Sequence, residues 1–183
     1  VNAGPELSNS GTPGAFDEEH VMDPEVYYDG SVFHIWYTGV NSGGELAVGY
    51  TSTSTPGTGL SNAAAPILEP LADSYFSAGL RAPAVVYDAS EAEYKYRMWP
   101  TSWDGTVNGH AITAARSETP DSGWEVNASP VLTEHTTGFD SLEVKACSVL
   151  KSGTVFRMWY SGFSTSPSIG YASSGNGISW QKY

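Results

Sequence analysis

The stretch RMWYSGFSTSPSIGYASSGNGISW, residues 157–180, has two related copies earlier in the chain. HIWYTGVNSGGELAVGYTSTS occupies residues 34–54, and the more divergent RMWPTSWDGTVNGHAITAARS occupies residues 97–117. A phrase that returns at a nearly constant spacing is the sequence signature of repeated structural units. We therefore predict that the chain uses one unit three times.

Each unit has the pattern of short antiparallel strands. PEVYYDGSVFHIWYTG, residues 24–39, and CSVLKSGTVFRMWYSG, residues 147–162, each join two apolar runs through a turn, at Asp29-Gly30 and Ser152-Gly153. Such runs around a glycine-containing turn predict a β-hairpin. A third strand should follow, in ELAVGYTS of the first unit and PSIGYASS of the last.

The ends of the units predict how the sheets are completed. The segments GLSNAAAPIL and GWEVNASPVL align so that Pro66 matches Pro130 and Leu68 matches Leu132, whereas the chain ends at GISWQKY before a third such segment. VNAGPEL, residues 1–7, has the composition of the missing piece. We therefore expect an N-terminal strand to complete the last sheet.

These patterns predict an all-β protein with a single propeller-type domain over residues 1–183. Its three four-stranded blades would span residues 16–70, 75–134, and 139–183 together with 1–7. A β-sandwich is the alternative that the strand count allows. Because propellers ordinarily have four to eight blades, three routes stay open: a homodimer with a six-bladed ring, a fragment of a longer chain, or a closed three-bladed form.

Composition excludes several classes of partner. The chain has 20 Asp and Glu against 8 Lys and Arg, a formal charge of -12, without a basic cluster for nucleic acid or an anionic membrane. No apolar run is long enough for a membrane helix. The single cysteine, Cys147, and the spacing of the four histidines predict no disulfide, no metal site and no cofactor. The compartment stays open, with a secreted or periplasmic location as one expectation.

The phrases VMDPEVYYDG, WYTG, VGYTS, RMWYSG and IGYASS resemble the blades of a large superfamily of propeller glycoside hydrolases that includes arabinanases, β-xylosidases and invertases. The resemblance implies a ring of five blades, of which this chain has three repeats, a carbohydrate ligand and paired carboxylates at the mouth of a central channel. It implies that Asp23, in MDP, is the base or nucleophile. The matching positions of the other units hold Ala82 and Ala146 instead of acids.

Six residues are the candidate site. Asp23 and Glu143 would be the catalytic pair, because glycoside hydrolysis needs one carboxylic acid and one carboxylate. Arg81 and Lys145 occupy equivalent positions, where they would bind an anionic group on a sugar or pair with the two acids. His20 aligns with Glu143. Trp103, in the loop-like stretch PTSWDGTVNG, would stack on a sugar ring.

The sequence leaves the function class open between two readings. One is a glycoside hydrolase-like enzyme that uses Asp23 and Glu143. The other is a noncatalytic glycan-binding or assembly module, which Ala82 and Ala146 favour. A part of a larger enzyme whose other blades carry the absent acids is a third possibility.

Overall fold

A computed structural model describes residues 4–183, and this part of the chain is all-β, without a helix that could cross a membrane. The strands are β1 (His20–Tyr28), β2 (Phe33–Val40), β3 (Leu46–Thr53), β4 (Gly79–Arg81), β5 (Val85–Tyr87), β6 (Tyr96–Met98), β7 (Thr101–Trp103), β8 (His110–Ile112), β9 (Ala115–Ser117), β10 (Glu125–Val126), β11 (Glu143–Ser152), β12 (Val155–Phe163), β13 (Pro167–Ser174) and β14 (Gln181–Lys182).

The two predicted hairpins are confirmed. β1 pairs antiparallel with β2, and β11 pairs antiparallel with β12. Gly30 and Gly153 have φ angles of 103° and 61° in the two turns, a region that glycine enters without steric cost. Asp29 supports the first turn, because its carboxylate accepts hydrogen bonds from the backbone N–H groups of Ser31 and Val32, each at 2.7 Å.

The predicted third strands also form. β3 continues the first sheet beside β2, and β13 continues the last sheet beside β12, where β14 adds a fourth strand. In β12 the side chains of Phe156, Met158 and Tyr160 are buried and alternate with more exposed neighbours. The last sheet therefore has one covered face and one open face.

The middle of the chain departs from three separate sheets of four strands. β4, β7 and β8 join the first sheet through a parallel contact of Gly79 with Leu46, whereas β5, β6, β9 and β10 form a sheet of their own. Pro83 and Pro100 lie at the breaks between successive strands, and proline lacks the N–H that a ladder needs, whereas Ala84 and Trp99 still exchange backbone hydrogen bonds at 3.3 and 2.8 Å across the break.

A backbone irregularity recurs at the three positions that the repeat aligns. Asp23, Ala82 and Ala146 have φ angles of 51°, 47° and 48°. In β1 and β11 this residue lies in a bulge that shifts the pairing register. In the middle unit it lies between β4 and β5. Each bulge redirects the start of its strand relative to the rest.

Two apolar clusters hold the sheets together. Trp36 is fully buried in one cluster and Trp99 is 1% exposed in the other. Their indole N–H groups donate to the carbonyls of Pro120, at 2.9 Å, and Gly177, at 2.8 Å. Both tryptophans are therefore part of the packing between sheets, whereas Trp159 at the matching position of the repeat is 41% exposed.

The N-terminal segment is placed differently from the prediction. The Glu6 carbonyl accepts the N–H of Leu60 at 2.7 Å, and the Ser8 carbonyl accepts a bond from the Asn62 side chain at 2.8 Å. These residues therefore lie against the first unit, because backbone groups near Leu60 satisfy their hydrogen bonds. The predicted pairing of residues 1–7 with residues 177–183 is wrong for Glu6, and residues 1–3 lie outside the described range.

Candidate functional site

The candidate site is a group of six side chains on β1, β4, β7, β8 and β11, which we call the charged cluster. Its members are Asp23, Arg81, Trp103, His110, Glu143 and Lys145. Five of them were predicted from the sequence, and His110 was not.

Asp23 and Arg81 form one pair. The Arg81 guanidinium lies 3.2 Å from the Asp23 carboxylate, which also accepts a hydrogen bond from Thr38 at 3.3 Å. Both charged side chains keep part of their surface open to solvent, 37% for Arg81 and 27% for Asp23. The pair can therefore meet a ligand without a large rearrangement.

Glu143 is the buried member, with 7% of its side chain exposed. The ammonium group of Lys145 lies 2.6 Å from one carboxylate oxygen, and Nδ1 of His110 contacts the other. Since a buried carboxylate is costly unless it is paired, these two partners explain how Glu143 is tolerated there. Lys145 itself is 45% exposed, so its other N–H groups face solvent.

Trp103 and His110 are cross-strand partners on β7 and β8. Their rings stack with centroids 5.5 Å apart and an interplanar angle of 5°, and the indole N–H donates to the Thr106 carbonyl at 2.8 Å. The prediction that Trp103 lies in a loop is wrong, because it ends a strand and is half-buried. Its ring orientation is fixed by His110 on one side.

The electrostatics of His110 favour the neutral imidazole. Burial lowers the pKa of His110 most, the nearby Glu143 carboxylate opposes this by raising it, and Lys145 and Arg81 lower it further. β4, which carries Arg81, pairs with β7, and β7 pairs with β8, whose His110 contacts Glu143, so the two ion pairs lie near each other. A neutral ring can donate through one nitrogen to Glu143 and keep a lone pair on the other.

His20 lies apart from these contacts. It is the first residue of β1 and is exposed. Within residues 4–183 it makes no hydrogen bond or ion pair with the charged cluster. Its predicted part in ligand binding stays a prediction.

Sequence reasoning missed His110 because the histidines were compared only with metal-binding spacings. The usable signal was the middle hairpin, since Trp103 and His110 flank its turn symmetrically and must face each other if TSW and HAI are paired strands. In the described part of the chain, no three His, Cys, Asp or Glu side chains converge to hold a metal ion.

Cys147 lies next to this region but has a different environment. Burial raises the pKa of its thiol, which donates to the Trp99 carbonyl at 3.2 Å. A thiol with a raised pKa is a poor nucleophile near neutral pH, so Cys147 is a small packing residue.

Comparisons with known proteins place the fold. No family model and no curated protein matches the chain. Among solved structures it is similar to a glycosyl hydrolase from Bacteroides ovatus, with a TM-score of 0.75, 17% identity, and coverage of 100% of this chain and 57% of the other.

A thermostable family-43 glycoside hydrolase matches with a TM-score of 0.68 and 18% identity, over 90% of this chain and 54% of the other. A β-1,2-mannobiose phosphorylase from Listeria innocua matches with a TM-score of 0.72 and 15% identity, over 98% of this chain and 47% of the other. The chain thus has the fold of propeller glycoside hydrolases and spans about half the length of these structures.

Proposed function

We propose that the chain is a carbohydrate-active module whose ligand site is the charged cluster. The observation that supports this most is that two neighbouring ion pairs lie beside the half-buried ring of Trp103. They are formed by Asp23 of β1 with Arg81 of β4, and by Glu143 with Lys145 of β11. Polar side chains that converge next to an aromatic face suit a ligand with many hydroxyl groups and an apolar ring face. The shared fold with glycoside hydrolases supports the same class of ligand.

The first candidate activity is cleavage of a glycosidic bond. Asp23, partly exposed and hydrogen-bonded to Thr38, would activate water or attack the sugar. Glu143 would deliver a proton to the leaving oxygen. Because Lys145 and His110 contact both of its oxygens, Glu143 must take up a proton before it can act as an acid, either from water or through His110 while Nε2 of that ring accepts another proton.

The second candidate is a glycan-binding module without catalysis. It is favoured by Ala82 and Ala146, which have the same backbone conformation as Asp23 but carry only methyl groups. In this reading the two ion pairs hold Arg81 and Lys145 ready to bind the ligand. The similarity to a phosphorylase as well as to hydrolases is compatible with either reading, because one fold hosts several activities.

A screen for turnover and binding separates the candidates. The wild-type chain, Asp23→Asn, Glu143→Gln and the exposed control Glu134→Gln are incubated with aryl-glycosides and with arabinan, xylan and fructan oligomers. We expect release of product by the wild type and by Glu134→Gln, and loss of activity in both site variants. Binding without turnover supports the module instead, and a chain that neither binds nor cleaves any member contradicts both.

The finer architecture is part of the same proposal. We assign residues 16–70, 75–134 and 139–183 to three blades, supported by the left-handed residue that recurs at Asp23, Ala82 and Ala146. Completion of the ring by a second copy of the chain is a proposal as well. The activity of the whole protein is likewise a proposal.

A further inference from the structure

One position of the repeat differs in the middle unit. The phrases VGYTS, ITAAR and IGYAS align without a gap, so Tyr50 of the first unit and Tyr171 of the last match Ala114 of the second. In both outer units the tyrosine is the cross-strand partner of the recurring tryptophan. The second unit keeps its tryptophan, Trp99, but lacks the aromatic ring that accompanies it elsewhere.

The tyrosine makes the same two contacts in both outer units. Its ring packs against the tryptophan, with ring centroids 5.7 and 5.3 Å apart. Its hydroxyl lies 2.7 Å from Nδ1 of His34 in the first unit and accepts a hydrogen bond from Nη1 of Arg157 at 3.0 Å in the last. His34 and Arg157 precede the tryptophan by two positions, and the second unit has Arg97 there. The tyrosine thus joins an indole ring and a nitrogen donor in each outer unit.

The second unit has a cavity in this place. The cavity is about 280 Å³ in volume, and Ile178 of the last unit lines its far side. Ala114 and Trp99, 5% and 1% exposed, lie at its floor. Arg97 also lines it, and the Nε atom of this side chain is buried without a hydrogen-bond partner in the described chain. Since a buried polar group without a partner is costly, this N–H is available to a ligand in the cavity.

An ion pair on β9 and β10 adds further polar groups to the cavity wall. Arg116 is the cross-strand neighbour of Arg97, and its guanidinium donates to the Glu125 carboxylate at 3.0 Å. Both side chains of this pair are 54% exposed, so each has hydrogen-bonding capacity left for a ligand. The outer units have Ser52 and Ser173 at the position of Arg116. The second unit therefore differs twice, by a missing ring and by an added guanidinium.

We propose that this cavity is a second carbohydrate site, which binds one six-membered sugar ring of a glycan. Its volume is just below the roughly 300–1,000 Å³ of sites for drug-sized ligands, so it suits a single ring. A sugar ring offers apolar C–H groups to Trp99 and Ala114 and an oxygen to the Nε–H of Arg97. Neighbouring hydroxyl groups suit the Arg116–Glu125 pair, because the guanidinium only donates hydrogen bonds and the carboxylate only accepts them. A simple phenol has one oxygen and leaves that pair without a ligand group.

The cavity is separate from the charged cluster, with which it shares no residue. All of its lining residues lie within residues 97–178. Among them Glu125 is the one carboxylate, whereas cleavage of a glycosidic bond ordinarily needs two. The second site therefore holds a glycan without cleaving it, whatever the activity at the charged cluster.

NMR titration of the isotope-labelled full chain tests the site, because the Nε–H signal of Arg97 and the indole N–H signal of Trp99 report on the cavity itself. The probes are glucose, galactose, xylose, glucuronic acid and 4-methylphenol, which has the shape of a tyrosine side chain. We expect 4-methylphenol and at least one of the sugars to shift both signals. No shift with any of the four sugars overturns the proposal, even where 4-methylphenol binds.

Ala114→Tyr restores the residue of the outer units. This variant should fold and should fill the cavity, so that the sugar binds at least about tenfold more weakly than to the wild type. Ala65→Tyr makes the same exchange at an exposed alanine of the first unit and should bind as the wild type. Sugar-dependent shifts of equal size in Ala114→Tyr and the wild type would contradict a ligand in this cavity.

Arg116→Met decides the question even where Ala114→Tyr does not fold, because the Arg116 side chain is exposed and its loss leaves the packing intact. The sugar should bind at least about tenfold more weakly to this variant, whereas 4-methylphenol should bind equally well. An unchanged sugar affinity overturns the proposal. Trp103→Ala, in the charged cluster, should leave the shifts of Arg97 and Trp99 unchanged, which separates failure of this site from failure of the proposed function.

Discussion

At positions 23, 82 and 146 the backbone adopts a conformation that side chains with a Cβ rarely enter. The φ angles lie between 47° and 51° although the residues are Asp23, Ala82 and Ala146. Aspartate tolerates this region better than alanine, because its short polar side chain can form local hydrogen bonds. The two alanines therefore carry strain that the bulged strand starts impose.

Replacement of Ala146 by glycine tests this strain. Removing the Cβ relieves roughly 1–2 kcal/mol, and the greater freedom of glycine in the unfolded chain costs roughly 0.5–1 kcal/mol. We expect Ala146→Gly to leave the free energy of unfolding unchanged or to raise it by up to about 1.5 kcal/mol. Urea denaturation measures the effect.

Ala172→Gly is the matched control, since Ala172 is fully buried in β13 and its φ is not positive. This variant should lose about 1 kcal/mol or more, from chain entropy and lost packing. Equal losses in both variants would contradict the strain at Ala146.

His110 gives the site a pH dependence with a defined sign. Burial lowers its pKa in the folded protein from the ordinary value of 6.5, against the opposing effect of Glu143. Below about pH 6.5 the unfolded chain therefore binds more protons at this residue than the folded chain does, so its contribution to stability is lost as the pH falls.

Urea midpoints measured between about pH 7 and about pH 5.5 should therefore fall for the wild type. In His110→Gln this decrease should be smaller, because the titrating group is absent. The same decrease in both proteins would show that His110 does not titrate differently in the folded state. A control at His135, an exposed histidine away from the cluster, should behave as the wild type.

Residue-level prediction succeeded where the repeat supplied an alignment. Arg81 and Lys145 were placed beside Asp23 and Glu143 because equivalent positions on equivalent strands share an environment, and the ion pairs are present. His110 was missed because its contact with Glu143 depends on packing between two units. No spacing along the chain encodes that contact.

At the scale of elements, the contacts between consecutive units determine which strands can pack. We call each of these contacts a joint; in each, a threonine hydroxyl of one unit accepts a backbone N–H of the next. The Thr101 hydroxyl is 1% exposed and accepts the Ala146 N–H across the joint between the second and last units. The equivalent Ser161 faces outward without a partner in the described chain. The hydroxyl group at this repeat position therefore stabilises a contact between units at Thr101, whereas at Ser161 it has no such partner in the described chain.

Removing these hydroxyl groups measures the difference. Thr101→Val keeps the shape and removes the acceptor, which should cost about 1 kcal/mol of unfolding free energy. Ser161→Ala should stay within about 0.5 kcal/mol of the wild type in a monomeric preparation. A loss at Ser161 as large as at Thr101 would mean that the hydroxyl bond does not stabilise the joint.

The hairpins were predictable because alternation and turn chemistry are local. The division of the middle unit between two sheets was not predictable. Pro83 and Pro100 are visible in the sequence, but the effect of a missing N–H depends on which strand faces it. The N-terminal segment was assigned to the wrong sheet for a related reason. PEL fits the edge of either outer unit by composition, and the hydrogen bonds of Glu6 with Leu60 decide between them.

At the scale of the whole molecule, the fold can be predicted from the sequence, whereas the function can be predicted only in part. Three copies of one phrase predicted the all-β fold, and the likeness to glycoside hydrolases confirms it at the level of fold. The proposed ligand site depends on the six side chains of the charged cluster. Ala82 and Ala146 have the backbone conformation of Asp23 but lack its carboxylate. The side chain at this repeat position therefore changes while the backbone stays the same.

Binding of oligosaccharides to the charged cluster is the measurement closest to the central claim. Isothermal titration of arabinan, xylan and fructan oligomers into the wild type should detect at least one ligand. Trp103→Ala and Lys145→Met should weaken it at least about tenfold, or about 1.4 kcal/mol, and Glu134→Gln should bind as the wild type. Binding that is equally strong in all four proteins, or heat of binding from none of the sugars, would contradict the placement of a carbohydrate site at these residues.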